Sequence, residues 1–187
     1  RGVVILACST ANLALDPADP RTVIFTYPSS GFSGDSPSYI RPAIRLEMGA
    51  RSDDWPAEQR VIRPYAADAF PEAFRVAAFG SVNTMEAVRT FWEKATLLHA
   101  DYHRPAGKAP IERGSRHFYD LYRLSQDDIG RQALARQDLL ARVVTHKRLF
   151  FASAWASYET ARPGTFHLVP REDRLPALRK DYAEMRA

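Results

Sequence analysis

Residues 89–104 read Arg89-Thr-Phe-Trp-Glu-Lys-Ala-Thr-Leu-Leu-His-Ala-Asp-Tyr-His-Arg104, and residues 115–124 read Ser115-Arg-His-Phe-Tyr-Asp-Leu-Tyr-Arg-Leu124. Around the first stretch the apolar positions recur with a helical period. Val88, Phe91, Trp92, Ala95, Leu98 and His99 fall on one stripe. The stripe predicts a helix running to about His103, with Asn83 or Thr84 as its N-cap. A proline-bearing loop, Pro105–Glu112, separates it from a second helix over about Ser115–Ser125. Further helical patterning covers about Ile129–Ala161 in two pieces, stopping before Pro163-Gly164, and a last helix covers about Leu175–Arg186.

Upstream of Thr84 the pattern is that of strands and turns. Thr22-Val-Ile-Phe-Thr-Tyr27 is β-branched and aromatic and stops at Pro28-Ser-Ser-Gly. Within Tyr39–Met48 the residues alternate from Ala43 onward, with Ile44, Leu46 and Met48 on one face and Arg45 and Glu47 on the other. Arg60–Tyr65 and Phe74–Phe79 are two further short strand candidates, and Ser29–Ser38 reads as a flexible Ser/Gly loop. Strands first and helices afterward argue for an α+β fold, a sheet portion (1–83) followed by a helical bundle (84–187).

The composition is that of an ordinary globular protein, with 45% hydrophobic and 26% charged residues in 187. Cys8 is the single cysteine, so an internal disulfide framework is excluded and a reducing, cytoplasmic setting is expected. No apolar run reaches the ~20 residues that span a bilayer, so no membrane association is expected. The apolar stretch before Cys8 is shorter than the roughly 7–15 residues of a secretion signal. A first residue of Arg1 rather than Met reads as a trimmed or truncated chain. Charge is uneven. Residues 1–83 hold 8 basic against 9 acidic residues, and residues 84–187 hold 18 against 13. A basic half favours polyanionic partners, although a solvated helical surface has the same composition.

The chemistry-bearing candidates each have an ordinary structural reading. Lys94 lies at the edge of the apolar stripe, where its ammonium could enter a cleft; from spacing alone it reads as a surface lysine with its stem along the core. Asp120 has Arg116 four residues before it and Arg123 three after, the spacing of ordinary helical ion pairs. Glu47 could offer a carboxylate to a divalent metal, or pair with Arg45 or Arg51 on an exposed strand. His99 and His103 have the i,i+4 spacing of helical zinc ligands. The glutamate of that motif is missing, however, and His99 falls on the apolar stripe, so a hydrogen-bonded core histidine explains it better. Neither Ser29–Ser38 nor Gly107-Lys108 makes a phosphate-binding P-loop. Aromatic and basic residues interleave in Arg116–Arg123 and in His146–Phe151, suiting RNA stacking, yet a packed face made of Phe118, Leu121 and Tyr122 serves as well.

The blocks Thr90-Phe-Trp-Glu-Lys-Ala-Thr-Leu-Leu-His99 and Ser115-Arg-His-Phe-Tyr-Asp-Leu-Tyr-Arg-Leu124 together resemble the AbiEii/AbiGii toxin family. The likeness runs from Thr22 to the end, through Ile44–Ser52, Arg63–Pro71, Val144–Lys147 and Asp181–Met185. It implies part of a nucleotidyltransferase-like mixed sheet followed by a C-terminal helical bundle. It also implies transfer of a nucleoside monophosphate from an NTP to an RNA acceptor, tRNA first among candidates. Growth arrest or phage defence would be the outcome. Mg2+ and a cognate antitoxin are implied alongside. In this family pattern Lys94 would hold nucleotide phosphates and Asp120 would position or activate the reacting groups. Glu47 resembles a third acidic position, and Arg51, Arg89 and Arg116 become candidates for triphosphate or RNA backbone. The family's glycine turn with an Asp-x-Asp metal pair is not matched here. Asp35 has no second acid at that spacing, and Asp53-Asp54 is adjacent rather than alternating. The expectation is therefore a C-terminal portion, inactive alone, of an enzyme whose metal pair lies upstream. The alternative is a non-catalytic RNA- or protein-binding remnant of that fold.

Overall fold

A computed structural model describes residues 12–26, 43–49, 53, 55–63, 65–74 and 80–186. The Ser29–Ser38 loop, Cys8, Arg51 and residues 75–79 of the fourth strand candidate lie outside the described residues. The architecture is α+β, and the chain divides into two compact units, 1–52 and 53–186.

In the first unit, β1 (Asn12–Leu15), β2 (Thr22–Thr26) and β3 (Ala43–Glu47) form one antiparallel sheet in that order. The β1–β2 turn is closed locally. Asp16 Oδ1 accepts from the Ala18 N–H at 2.9 Å, and the Thr22 N–H donates to the Asp19 carbonyl at 2.9 Å. The alternation read from sequence holds. Ile44 pairs with Phe25, which pairs with Leu13, and Leu46 aligns with Val23 and Leu15.

The second unit opens on a hairpin of β4 (Ala57–Ile62) and β5 (Gly80–Met85), bridged by a short helix, α1 (Ala66–Ala69), and a 3-10 turn (Pro71–Phe74). β4 therefore begins three residues before the expected Arg60, and Phe74 closes a turn instead of opening a strand. The end of β5 falls where the sequence predicts the N-cap of the first helix, at Asn83 or Thr84. Thr84 pairs with Glu58 and Met85 with Ala57, so the chain stays extended until Glu86, the actual N-cap residue. Strand pairing outweighed the capping preference of Asn83 and Thr84 at this boundary.

The helical part comprises α2 (Ala87–Tyr102), α3 (Ser115–Gln126), α4 (Asp128–Ala135), α5 (Gln137–Phe150) and α6 (Leu175–Arg186). α2 is the axis of the bundle and packs against α3, α4 and α5. All six residues of its sequence stripe are buried, with Leu121, Ala133, Leu139, Leu140 and Val143 of the surrounding helices. Trp92 anchors this core; its Nε1–H donates to the Ala133 carbonyl at 3.1 Å, satisfying the one polar atom it brings inside. Asp127 ends α3 and caps α4, accepting from the Asp128 N–H at 2.7 Å. Gly130 lets α4 close on α3, because a Cβ there would meet Ser125 Cα at 3.1 Å.

α5 stops at Phe150, eleven residues short of the expected end. Ala156, Tyr158 and Ala161 beyond it are buried, two of them in a cluster with Ala100 of α2. Ser157 adopts φ 48°, and a 3-10 turn (Tyr158–Thr160) brings its carbonyl back to His99. A continued helix would carry these groups away from α2, so tertiary packing overrode helical propensity. α6 matches the expected Leu175–Arg186 span. Among the described residues no helix is long and apolar enough to cross a membrane.

Candidate functional site

Where α2 and α3 pack side by side, three side chains of the two helices meet. Lys94 Nζ lies 2.8 Å from Asp120 Oδ2 and 3.0 Å from His117 Nδ1. His117 and Asp120 stand three residues apart on α3 and so share a face. Asp120 is thus paired across the helix interface, and not with Arg116 or Arg123 of its own helix. Lys94 runs along the edge of the core as its position on the stripe predicts, and its head is drawn to α3. The site grades from inside to outside, with His117 buried, the Lys94 side chain 22% exposed and that of Asp120 42% exposed.

The protonation states follow from donors and acceptors. An ammonium only donates, so His117 Nδ1 must be the bare acceptor and the imidazole proton sits on Nε2. Burial, and then the positive charges of Lys94 and Arg116, push the His117 pKa down to about 4. At neutral pH the site is therefore an ammonium held between a carboxylate and an uncharged imidazole.

The opposite flank of α2 carries a second polar group of another kind. Arg89 is completely buried. Its guanidinium donates to Asp53 Oδ2 at 3.0 Å, to Glu93 Oε1 at 3.0 Å and to the Trp55 carbonyl. Glu93 Oε2 in turn meets Lys147 Nζ of α5 at 2.6 Å, and Asp53 receives Arg142 through both oxygens at 2.7 and 2.8 Å. The Arg142 and Arg89 guanidinia hold the Asp53 carboxyl far below the usual carboxylate range. Buried charges persist when paired and hydrogen-bonded in this way.

The remaining sequence candidates are distributed as follows. Arg116 is exposed on the first turn of α3, one residue before His117. Arg51 lies outside the described residues. Glu47, in the first unit, is 72% exposed and faces Arg45 Nε at 3.7 Å. His99 is fully buried and satisfied. Its Nδ1 accepts from the His167 N–H at 3.1 Å, while Nε2 lies 3.0 Å from the Ser157 carbonyl. That is the hydrogen-bonded core histidine expected from the stripe. Among the described residues no group of three or more His, Cys, Asp or Glu is arranged to hold a metal. The sequence reading missed His117, Glu93 and Lys147 as site or network members. The available cue was spacing: His117 precedes Asp120 by three residues, and Arg89 precedes Glu93 by four.

The family model described as nucleotidyl transferase AbiEii toxin, type IV TA system, matches residues 3–187. The chain belongs to the AbiEii family. No curated protein and no solved structure matches it. AbiEii membership makes the chain part of a family of nucleotidyltransferase toxins of type IV toxin–antitoxin systems, and thereby implies a nucleotide substrate and a cognate antitoxin. A divalent cation is typical of nucleotidyl transfer. Among the described residues no group of three or more His, Cys, Asp or Glu is arranged to hold one, and Asp120, the carboxylate in contact with Lys94, is paired with it.

Proposed function

We propose that this AbiEii protein transfers a nucleoside monophosphate from an NTP, taken with Mg2+, to the end of an RNA, with tRNA the first acceptor to test. Growth arrest or phage defence would follow, relieved by an antitoxin. The observation that carries the reading is the Lys94–Asp120 ion pair across α2 and α3, a partly exposed cation fixed beside a carboxylate. Lys94 would bind the phosphates of the nucleotide through the hydrogen left free by its two partners, and Asp120 would help orient the reacting groups. Arg116 is exposed on the same helix as Asp120 and suits a phosphate of the nucleotide or of the RNA backbone. Arg51 remains a candidate for the same task. Glu47 remains the candidate for a third acidic group. Arg89 has no side-chain surface to give a ligand and would act from within, by holding Glu93.

The test is transfer of labelled NTP to tRNA, with Mg2+ present, by the protein made from its native reading frame. Lys94→Ala and Asp120→Ala are each expected to lower transfer by at least about 100-fold, the scale of a lost charge-stabilising group. Transfer that survives both substitutions would remove these residues from the reaction. RNA binding without any transfer by the native protein would favour a binding remnant instead.

A further inference from the structure

His117 is buried on the inner side of the site, carries no charge at neutral pH and has no part in the family-derived roles of Lys94 and Asp120. Its place is nevertheless tightly specified. The backbone N–H of His117 donates to the Gly114 carbonyl at 3.1 Å, within the first turn of α3. The α3 N-terminus is itself fixed from α6, because the Ser115 N–H donates to Asp181 Oδ2 at 2.8 Å. The imidazole thus projects at α2 from a turn anchored at both the helix end and the bundle.

An ammonium has three hydrogens. In Lys94 one points to Asp120 Oδ2 and a second to His117 Nδ1, and no further hydrogen-bond partner is present among the described residues. Two fixed acceptors define the direction of the third hydrogen. With Asp120 alone, a four-carbon stem could swing about a single ion pair, and the third hydrogen would sweep a cone. We propose that His117 is a positioning residue for Lys94, its Nδ1 lone pair fixing the ammonium so that one N–H is aimed outward at an anionic phosphate. The step to phosphate rests on the nucleotide-binding role of Lys94 proposed above; the contact itself does not.

The acceptor must stand at the δ position, and this gives the contact a distinctive signature. Asparagine carries its amide oxygen close to the place of Nδ1, whereas glutamine carries its own near Nε2. The test uses the full chain and two readouts. The first is the 15N spectrum of His117 at neutral pH, recorded for the wild type and for Lys94→Met. The expected result is an Nε2–H tautomer whose Nδ1 resonance shifts when the lysine is removed. A proton on Nδ1, or an Nδ1 indifferent to Lys94, would overturn the proposal. The second is calorimetric binding of inorganic triphosphate. His117→Asn should stay within about threefold of wild type, while His117→Gln and His117→Ala should weaken binding about tenfold or more, with thermal unfolding checking that each variant is folded. Equal binding by the asparagine and alanine variants would overturn it as well. Should wild type fail to bind triphosphate while Nδ1 still answers to Lys94, the phosphate reading falls and the positioning contact stands.

Discussion

Replacing His117 by Asn should flatten the acid side of the stability curve. Free histidine titrates near 6.5, and His117 is pushed down to about 4, so the folded chain refuses a proton that the unfolded chain accepts. Stability from this group is complete above about pH 6.5, falls as pH drops toward 4 and changes no further below that. At pH 5 the unfolded chain is almost fully protonated at this position and the folded chain about one-tenth so. Linkage then gives a loss of about 2 kcal/mol relative to pH 7.5. The groups acting on the imidazole are Lys94 and Asp101 of α2 and Arg116 and Asp120 of α3. The two cations and burial outweigh the two carboxylates. His99 and His103 are also lowered by burial, but they are common to both proteins and cancel in the comparison. The assay is urea unfolding at pH 7.5 and 5.0, followed by tryptophan fluorescence, with Trp92 as the buried reporter. Wild type should lose about 2 kcal/mol more than His117→Asn over that interval. Equal losses would mean that His117 is as free to protonate in the folded chain as outside it, and the donor–acceptor argument for Lys94 would fail.

Glu93→Ala should destabilise by about 3–5 kcal/mol, since it strips the buried Arg89 and Lys147 of their shared carboxylate; denaturant midpoints measure it. Arg142→Ala, at a half-exposed guanidinium on Asp53, should cost less than about 1 kcal/mol in the same experiment. Asp181→Ala should cost about 1 kcal/mol and speed amide exchange at Ser115, because the first N–H of α3 loses its acceptor. Leu139→Ala, at a fully buried core position, should cost about 2–5 kcal/mol by calorimetric unfolding.

The helical half was legible because α2 repeats its apolar residues with a period that only a helix aligns, and every stripe residue is buried. Boundaries were less legible where pairing or packing decided them, as at Thr84, held by Glu58, and at Phe150, where the returning loop serves His99. On α3 the expected face of Phe118, Leu121 and Tyr122 is rotated. Leu121 is buried with His117, whereas Tyr122 is 59% exposed. His117 takes an inward position on this helix, one that a count of apolar residues leaves out. Lys94 gave a correct local reading at the stripe edge, whereas the pairing of Asp120 with Arg116 and Arg123 read from its own helix gives way to Lys94. The Lys94–Asp120 pairing depends on which helices lie side by side, and no local spacing carries that. Arg89, a candidate for triphosphate or RNA backbone by resemblance, is instead drawn inward together with Glu93 by Asp53 and Lys147.

Both polar groups belong to one helix, and their placement is linked. Glu93 and Lys94 are consecutive on α2, so their side chains diverge by about 100° around its axis. Glu93 is clamped between Arg89 and Lys147, and Arg89 is tied to Asp53 beside the β4–β5 hairpin. A helix with one side chain held at two points cannot roll about its axis without breaking an ion pair in a buried setting, a cost of several kcal/mol. The angle at which Lys94 leaves α2 is thereby set by a network that never touches the site. From the other side, Asp181 fixes the first turn of α3, and with it the direction of His117. The partly exposed Lys94 is thus located by α5 through Glu93 and by α6 through His117. Its two acceptors come from a helix that is itself held in place, which is the preorganisation that the phosphate-binding role proposed for Lys94 requires.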